Sequence, residues 1–313
     1  MNVKCKMITS STMKSKIVHD QSIFTAMSDA LASFFELFTG DKNFNMGKLK
    51  QADIYIGNEH YKARGKMLNS SHVNECFRLS LEDDSENEKQ LVLRRMVPEF
   101  LAHHPNCRGL LKREFELFKE LNMDMCPYLV KLIDYIEEED SLISELIPGL
   151  PLDLFVKQEP EYYFKRRTTL KMLKQLLTAV GFLHSKGMCH LDITPACILV
   201  KADPDHDIVL LNNGLAAATY DKLPLGRCYS PDIPLELEHG QPFDNRTDIW
   251  EIGKIIKMII QVRKKDPTRA SNHLKLIAMK CMKKNPLDRY HDVKEILRDL
   301  EAWEHLYDNF VKN

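Results

Sequence analysis

The chain has 313 residues, 44% hydrophobic and 28% charged, with a formal net charge of −1 at pH 7. That size and balance suit one bilobal unit or two domains and exclude a chain too polar to bury a core. The near-zero charge gives no global pull toward nucleic acid, no apolar run is long enough to span a bilayer, and the eight cysteines include no Cys-x-x-Cys pair, a pattern of reduced thiols in a cytoplasmic setting.

Residues 1–20 are polar, with several lysines and the hydroxyl run Thr9-Ser10-Ser11-Thr12, and show no period. From Ile23 the apolar residues recur at Phe24, Met27, Ala30, Leu31, Phe34, Phe35, Leu37 and Phe38, which predicts an amphipathic helix over about 22–39, with Gly40 placed to stop it. Its uses would be docking, membrane-surface anchoring or packing on the domain that follows. The absence of a Lys/Arg-rich polar face favours packing. Asp53-Ile54-Tyr55-Ile56, Cys76-Phe77-Arg78-Leu79 and Leu91-Val92-Leu93-Arg94 read as strands, and Lys112 to Leu121 as an amphipathic helix. Leu129 to Tyr135 and Leu142 to Glu145 read as two more strands, after which Pro148-Gly149 marks a boundary. Leu170, Leu173, Leu176, Leu177, Val180 and Leu183 then place a buried helix over Thr168 to His184.

That helix leads into His190-Leu191-Asp192-Ile193-Thr194-Pro195-Ala196-Cys197-Ile198-Leu199, which resembles the catalytic loop of the eukaryotic-type protein kinase superfamily, His-Arg-Asp-Leu-Lys-Pro-x-Asn-Ile-Leu. The resemblance implies that Asp192 stands at the position of the base that takes the substrate's hydroxyl proton. Leu191 replaces the arginine that reads activation-loop phosphate, Thr194 the lysine near the γ-phosphate, and Cys197 the metal-binding asparagine. A thiol is a poor magnesium ligand, because that hard ion wants oxygen.

Further positions follow from the same resemblance. The glycine-rich loop aligns on Asn69, Ser71, Asn74 and Cys76, so its three glycines are gone. Arg94 stands for the lysine that grips the α- and β-phosphates, Val92 for the alanine flooring the adenine, and Glu114 for the αC glutamate that would pair with Arg94. Ser144 falls at the gatekeeper, and Glu145-Leu146-Ile147 at the hinge. Asn212-Asn213-Gly214 follows the strand Ile208 to Leu211 in place of Asp-Phe-Gly, removing the second metal ligand. Leu132, Phe118 and His190, anchored on Asp248, are the expected lobe-linking stack, with Asn213 at the phenylalanine's place. Asp248-Ile249-Trp250-Glu251-Ile252-Gly253 resembles the start of the buried αF helix, and Asn285 to Tyr290 the loop whose arginine, Arg289, would pair with Glu236.

The implied fold is α+β and bilobal: an extension over 1–50, a small β-rich N-lobe with one αC helix over 51–147, and a larger helical C-lobe over 148–313. The implied function is that of a degenerate member, a pseudokinase acting as scaffold or allosteric partner of other proteins. Asp192 is then a vestigial base, and Arg94, Glu114, Glu145 and Ile147 line a degenerate nucleotide site that holds no cofactor or metal. The alternative is a divergent Ser/Thr-type kinase or other ATP-dependent phosphotransferase, with magnesium, using Asp192 as base.

Overall fold

The computed structural model describes residues 54–56, 59–66, 74–81, 91–159, 166–211, 217–218, 233–262 and 269–311. The helix expected over about 22–39, the glycine-loop positions Asn69 and Ser71, and Asn212 and Asn213 lie outside the described residues.

The N-terminal part is a six-stranded sheet in the order β1-β2-β3-β4-β6-β5, with neighbours antiparallel. Its strands are β1 (Ile54–Ile56), β2 (Glu59–Lys66), β3 (Asn74–Leu81), β4 (Leu91–Met96), β5 (Leu132–Ile136) and β6 (Ser141–Glu145). Strand alternation sorts the two faces. Leu91 and Leu93 join Phe77, Leu79 and Ile143 in a core on one side of the sheet. Arg94 and Met96 turn the other way, toward α2 (Leu110–Glu120). That helix buries Leu110, Leu111, Phe115 and Phe118, each contributing about 1.5–3 kcal/mol.

In the N-terminal part, two elements have no counterpart in the sequence reading. Strand β2, EHYKARGK, carries too many polar residues to show an apolar period. Helix α1 (Pro98–His103) precedes α2, started by Pro98 in its first turn, so the αC-like helix is not the only one beside the sheet. The strand expected from Leu129 begins instead at Leu132. Leu129 forms an isolated parallel bridge to Leu210, which draws the preceding backbone toward the C-terminal part.

The C-terminal part is helical. It contains α3 (Leu152–Gln158), α4 (Arg166–Ser185), α5 (Leu235–Glu238), α6 (Asn245–Val262), α7 (Arg269–Cys281) and α8 (Val293–Val311). The small strands β7 (Gly149–Pro151), β9 (Ile198–Lys201) and β10 (Ile208–Leu210) form one sheet, and β8 (Met188–Cys189) pairs with β11 (Ala217–Ala218). Close approach explains two glycines: a Cβ on Gly149 would sit 2.3 Å from the Val200 carbonyl oxygen, and one on Gly253 2.7 Å from Cys281 Cβ. The six described cysteines are all buried and outside any disulfide. Among the described residues no helix is long and apolar enough to cross a membrane.

Candidate active site

The loop carrying Asp192 is held from below by α6. Asp248, fully buried near the start of that helix, accepts the backbone N–H of His190 at 2.8 Å and of Leu191 at 2.9 Å, and the Nε2–H of His184 at 2.8 Å. Burial pushes the Asp248 carboxyl up, but the His184 bond and the neighbouring imidazoles outweigh it and hold the group below its ordinary value. Leu191 is thereby kept at φ 66°, a left-handed conformation that costs a leucine about 1 kcal/mol or more. His184, Cys189 and Asp248 bring their donor atoms within 4.8 Å of one another. Closing them on a metal would break the His184–Asp248 bond, so hydrogen bonding is the better account of the group.

His190 fixes the next residue. Its Nε2–H donates to the Leu211 carbonyl at 3.1 Å, while its Nδ1 accepts the Asp192 backbone N–H at 3.2 Å. Only a neutral ring does both, and complete burial lowers its pKa accordingly. Phe118 and Leu132 are buried in the same apolar core as Leu191 and Ile193, and His190 is buried on Asp248.

One further carboxylate escaped the sequence reading. Glu251 lies three residues after Asp248, hence on the same helix face, and its Oε2 accepts the Ile193 N–H at 2.8 Å. Burial and then the Asp248 charge push its pKa well up. The available signal was an acid one turn from Asp248, among the isoleucines of the same helix.

The Asp192 side chain meets a thiol. Cys197 Sγ lies 3.6 Å from Asp192 Oδ2 and itself accepts the Thr194 hydroxyl at 3.2 Å. Burial pushes the Asp192 carboxyl up to about 7, with the Cys197 bond and the Lys254 charge partly opposing the shift. A magnesium ion on the phosphates, as the fold implies, would need an oxygen donor where Cys197 stands. The residue there is soft, buried and engaged with Asp192 and Thr194, so the described part of the site does not fit that ion.

On the sheet, Arg94 is bonded to Glu114 Oε2 in a buried ion pair, as the α2 and β4 placements require. Cys76 lies opposite Arg94, and Ser144 opposite Val92. The Glu145 backbone N–H donates to the Lys131 carbonyl at 3.1 Å, and Glu145 Oε1 accepts the Lys131 N–H at 3.3 Å. Ile147 follows, half-buried, between β6 and β7.

Sequence comparison agrees with this architecture. Residues 85–310 match the protein kinase domain family. A probable myosin light chain kinase of Dictyostelium discoideum is 30% identical over 155 residues, covering 48% of this chain and 48% of that protein. Calcium-dependent protein kinase 5 of Plasmodium berghei is 30% identical over 157 residues, 48% of this chain and 26% of that protein. Death-associated protein kinase 2 of Mus musculus is 28% identical over 160 residues, 49% and 42% of the two chains. The match thus spans about half or less of the length of each of these relatives. With the β-rich N-terminal part, the helical C-terminal part and the Asp248-anchored loop, the chain belongs to the eukaryotic-type protein kinase superfamily.

Proposed function

We propose that the chain works as a kinase-fold binding protein, a scaffold or allosteric partner of other proteins in the cytoplasm, with phosphotransfer impaired. The observation that carries this reading is the Cys197 thiol against Asp192, where a metal ligand would be needed. Phosphoryl transfer is accelerated almost entirely by positioning and charge neutralisation. Thr194 adds no cation, Asn212 stands where the family has a carboxylate, and Asn69, Ser71 and Asn74 replace the glycines that let backbone approach phosphate. On this reading Glu145, Ile147, Arg94 and Glu114 are remnants of a nucleotide site, and 51–147 and 148–313 are the two lobes.

A divergent phosphotransferase is the second reading. It is favoured by the intact Arg94–Glu114 pair and by an Asp192 carboxyl near 7, a value suited to taking a proton at neutral pH. Thermal melting with millimolar ATP plus magnesium, manganese or chelator separates the two. A ligand at about a hundred times its dissociation constant adds roughly 2.7 kcal/mol, several degrees for a domain of this size. We expect no metal-dependent rise. A rise of several degrees that needs the metal, with transfer of radiolabel from ATP, would establish the second reading instead.

A further inference from the structure

Charge is distributed unevenly in this near-neutral chain. Between Lys254 and Lys284 there are ten lysines and arginines and one acid, Asp266. Helix α7 lies in this stretch and turns an apolar pair outward, with Leu276 64% and Met279 55% exposed. Lys275 and Lys280 flank the pair on the same face, and Lys283 and Lys284 continue the exposed basic surface beyond the helix. Lys280, itself exposed, also lies over the Tyr290 ring at 3.8 Å.

The opposite pattern occupies residues 20–41. Asp20, Asp29, Glu36 and Asp41 are its charged residues, with no lysine or arginine, and Ile23, Met27, Leu31, Phe34 and Phe38 recur at helical spacing. A helix of this length is marginal in water unless its apolar stripe is covered. We propose that residues 22–39 dock, as an acidic amphipathic helix, on the basic face of α7 around Leu276 and Met279.

Other exposed apolar residues offer poorer seats, Leu287, 72% exposed, standing next to exposed Asp288. Met125 is 75% exposed but lies beside exposed Asp124 and Glu120, which would repel an acidic segment. Tyr55 is 63% exposed, yet its ring already stacks on His60 at 4.8 Å. The roughly 15 residues from Thr39 to Ile54 extend to about 50 Å, about the diameter of a domain whose radius of gyration is near 18 Å. The tether also raises the local concentration into roughly the millimolar range, so a weak contact suffices.

The test is a photo-cross-link in the full chain carrying Met279→p-benzoylphenylalanine, mixed with an equal amount of isotope-labelled chain. The expected product joins position 279 to a peptide within 20–41 of the same chain, at a yield independent of protein concentration. Its yield should fall about fivefold or more in Lys275→Glu/Lys280→Glu, in Leu31→Asp/Phe34→Asp and at high salt. An unchanged melting temperature in the lysine variant shows that the fold is retained. Links only between differently labelled chains, only to added phosphatidylserine vesicles, only to other surfaces, or to nothing would each overturn the proposal.

Discussion

Arg289 and Glu236 form a two-pronged ion pair, Nη1 to Oε1 at 2.6 Å and Nη2 to Oε2 at 2.9 Å, with both residues buried. The rest of the guanidinium is saturated by the carbonyls of Arg246, Lys283 and Lys284, and Thr247 Oγ1 donates to Glu236 Oε1. Three segments, around Glu236, Arg246 and Lys283-Lys284, therefore meet on one cation. Asn285 prepares it by accepting the Leu287 N–H, which turns the chain so that Arg289 faces inward.

Replacing Arg289 with alanine strands the Glu236 charge in the interior. We expect Arg289→Ala to lose on the order of 3–5 kcal/mol. Urea unfolding followed by tryptophan fluorescence and by circular dichroism, with the two transitions coincident, measures this, and an unchanged midpoint would contradict it.

The Arg94–Glu114 pair should behave differently when both members are exchanged. Arg94→Met leaves Glu114 buried without its cation, at a cost again of about 3–5 kcal/mol. Glu114 Oε1 already lacks a hydrogen-bond partner among the described residues, so the pair is incompletely satisfied in the parent. Arg94→Met/Glu114→Leu should therefore recover most of the loss. Denaturation of the two single variants and the double variant gives the coupling.

Stability near neutrality should depend on Asp192. Its folded pKa of about 7 lies above the unfolded carboxylate value, so the native state binds the proton more tightly and loses stability as pH rises from the unfolded pKa toward 7. One such proton contributes a slope of up to about 1.4 kcal/mol per pH unit. Asp192→Asn removes that proton, so chemical denaturation between pH 5 and pH 8 should give a shallower fall than in the parent. The fall will not vanish, because Glu251 is raised as well. Equal slopes would show that the Asp192 carboxyl is not shifted.

Gly253→Ala should push α6 from α7. The added Cβ would lie 2.6 Å from Met282 Cγ and 2.7 Å from Cys281 Cβ, closer than packed atoms come. Overpacking of this kind typically costs about 1–3 kcal/mol. A melting temperature equal to the parent's would mean that the Met282 and Cys281 side chains yield freely.

Local pattern alone determined much of this protein. The apolar periods of α4 and α2 were legible because each is dictated by neighbours within a turn or two of chain, whereas the loop from His190 to Leu199 was read by its resemblance to a family. The Glu236–Arg289 and Arg94–Glu114 pairs were reached through resemblance to a family, across sequence separations of 53 and 20 residues. Strand β2 left no trace, since a polar strand is specified by the partners it hydrogen-bonds rather than by its own composition. Only the tertiary structure decided the state of the loop. Burial of Asp192 over α6 raises its carboxyl, and the fold turns Cys197 from a missing ligand into a thiol that occupies the carboxylate. Desolvation depends on what every other segment places around a group, and no stretch of sequence carries that by itself.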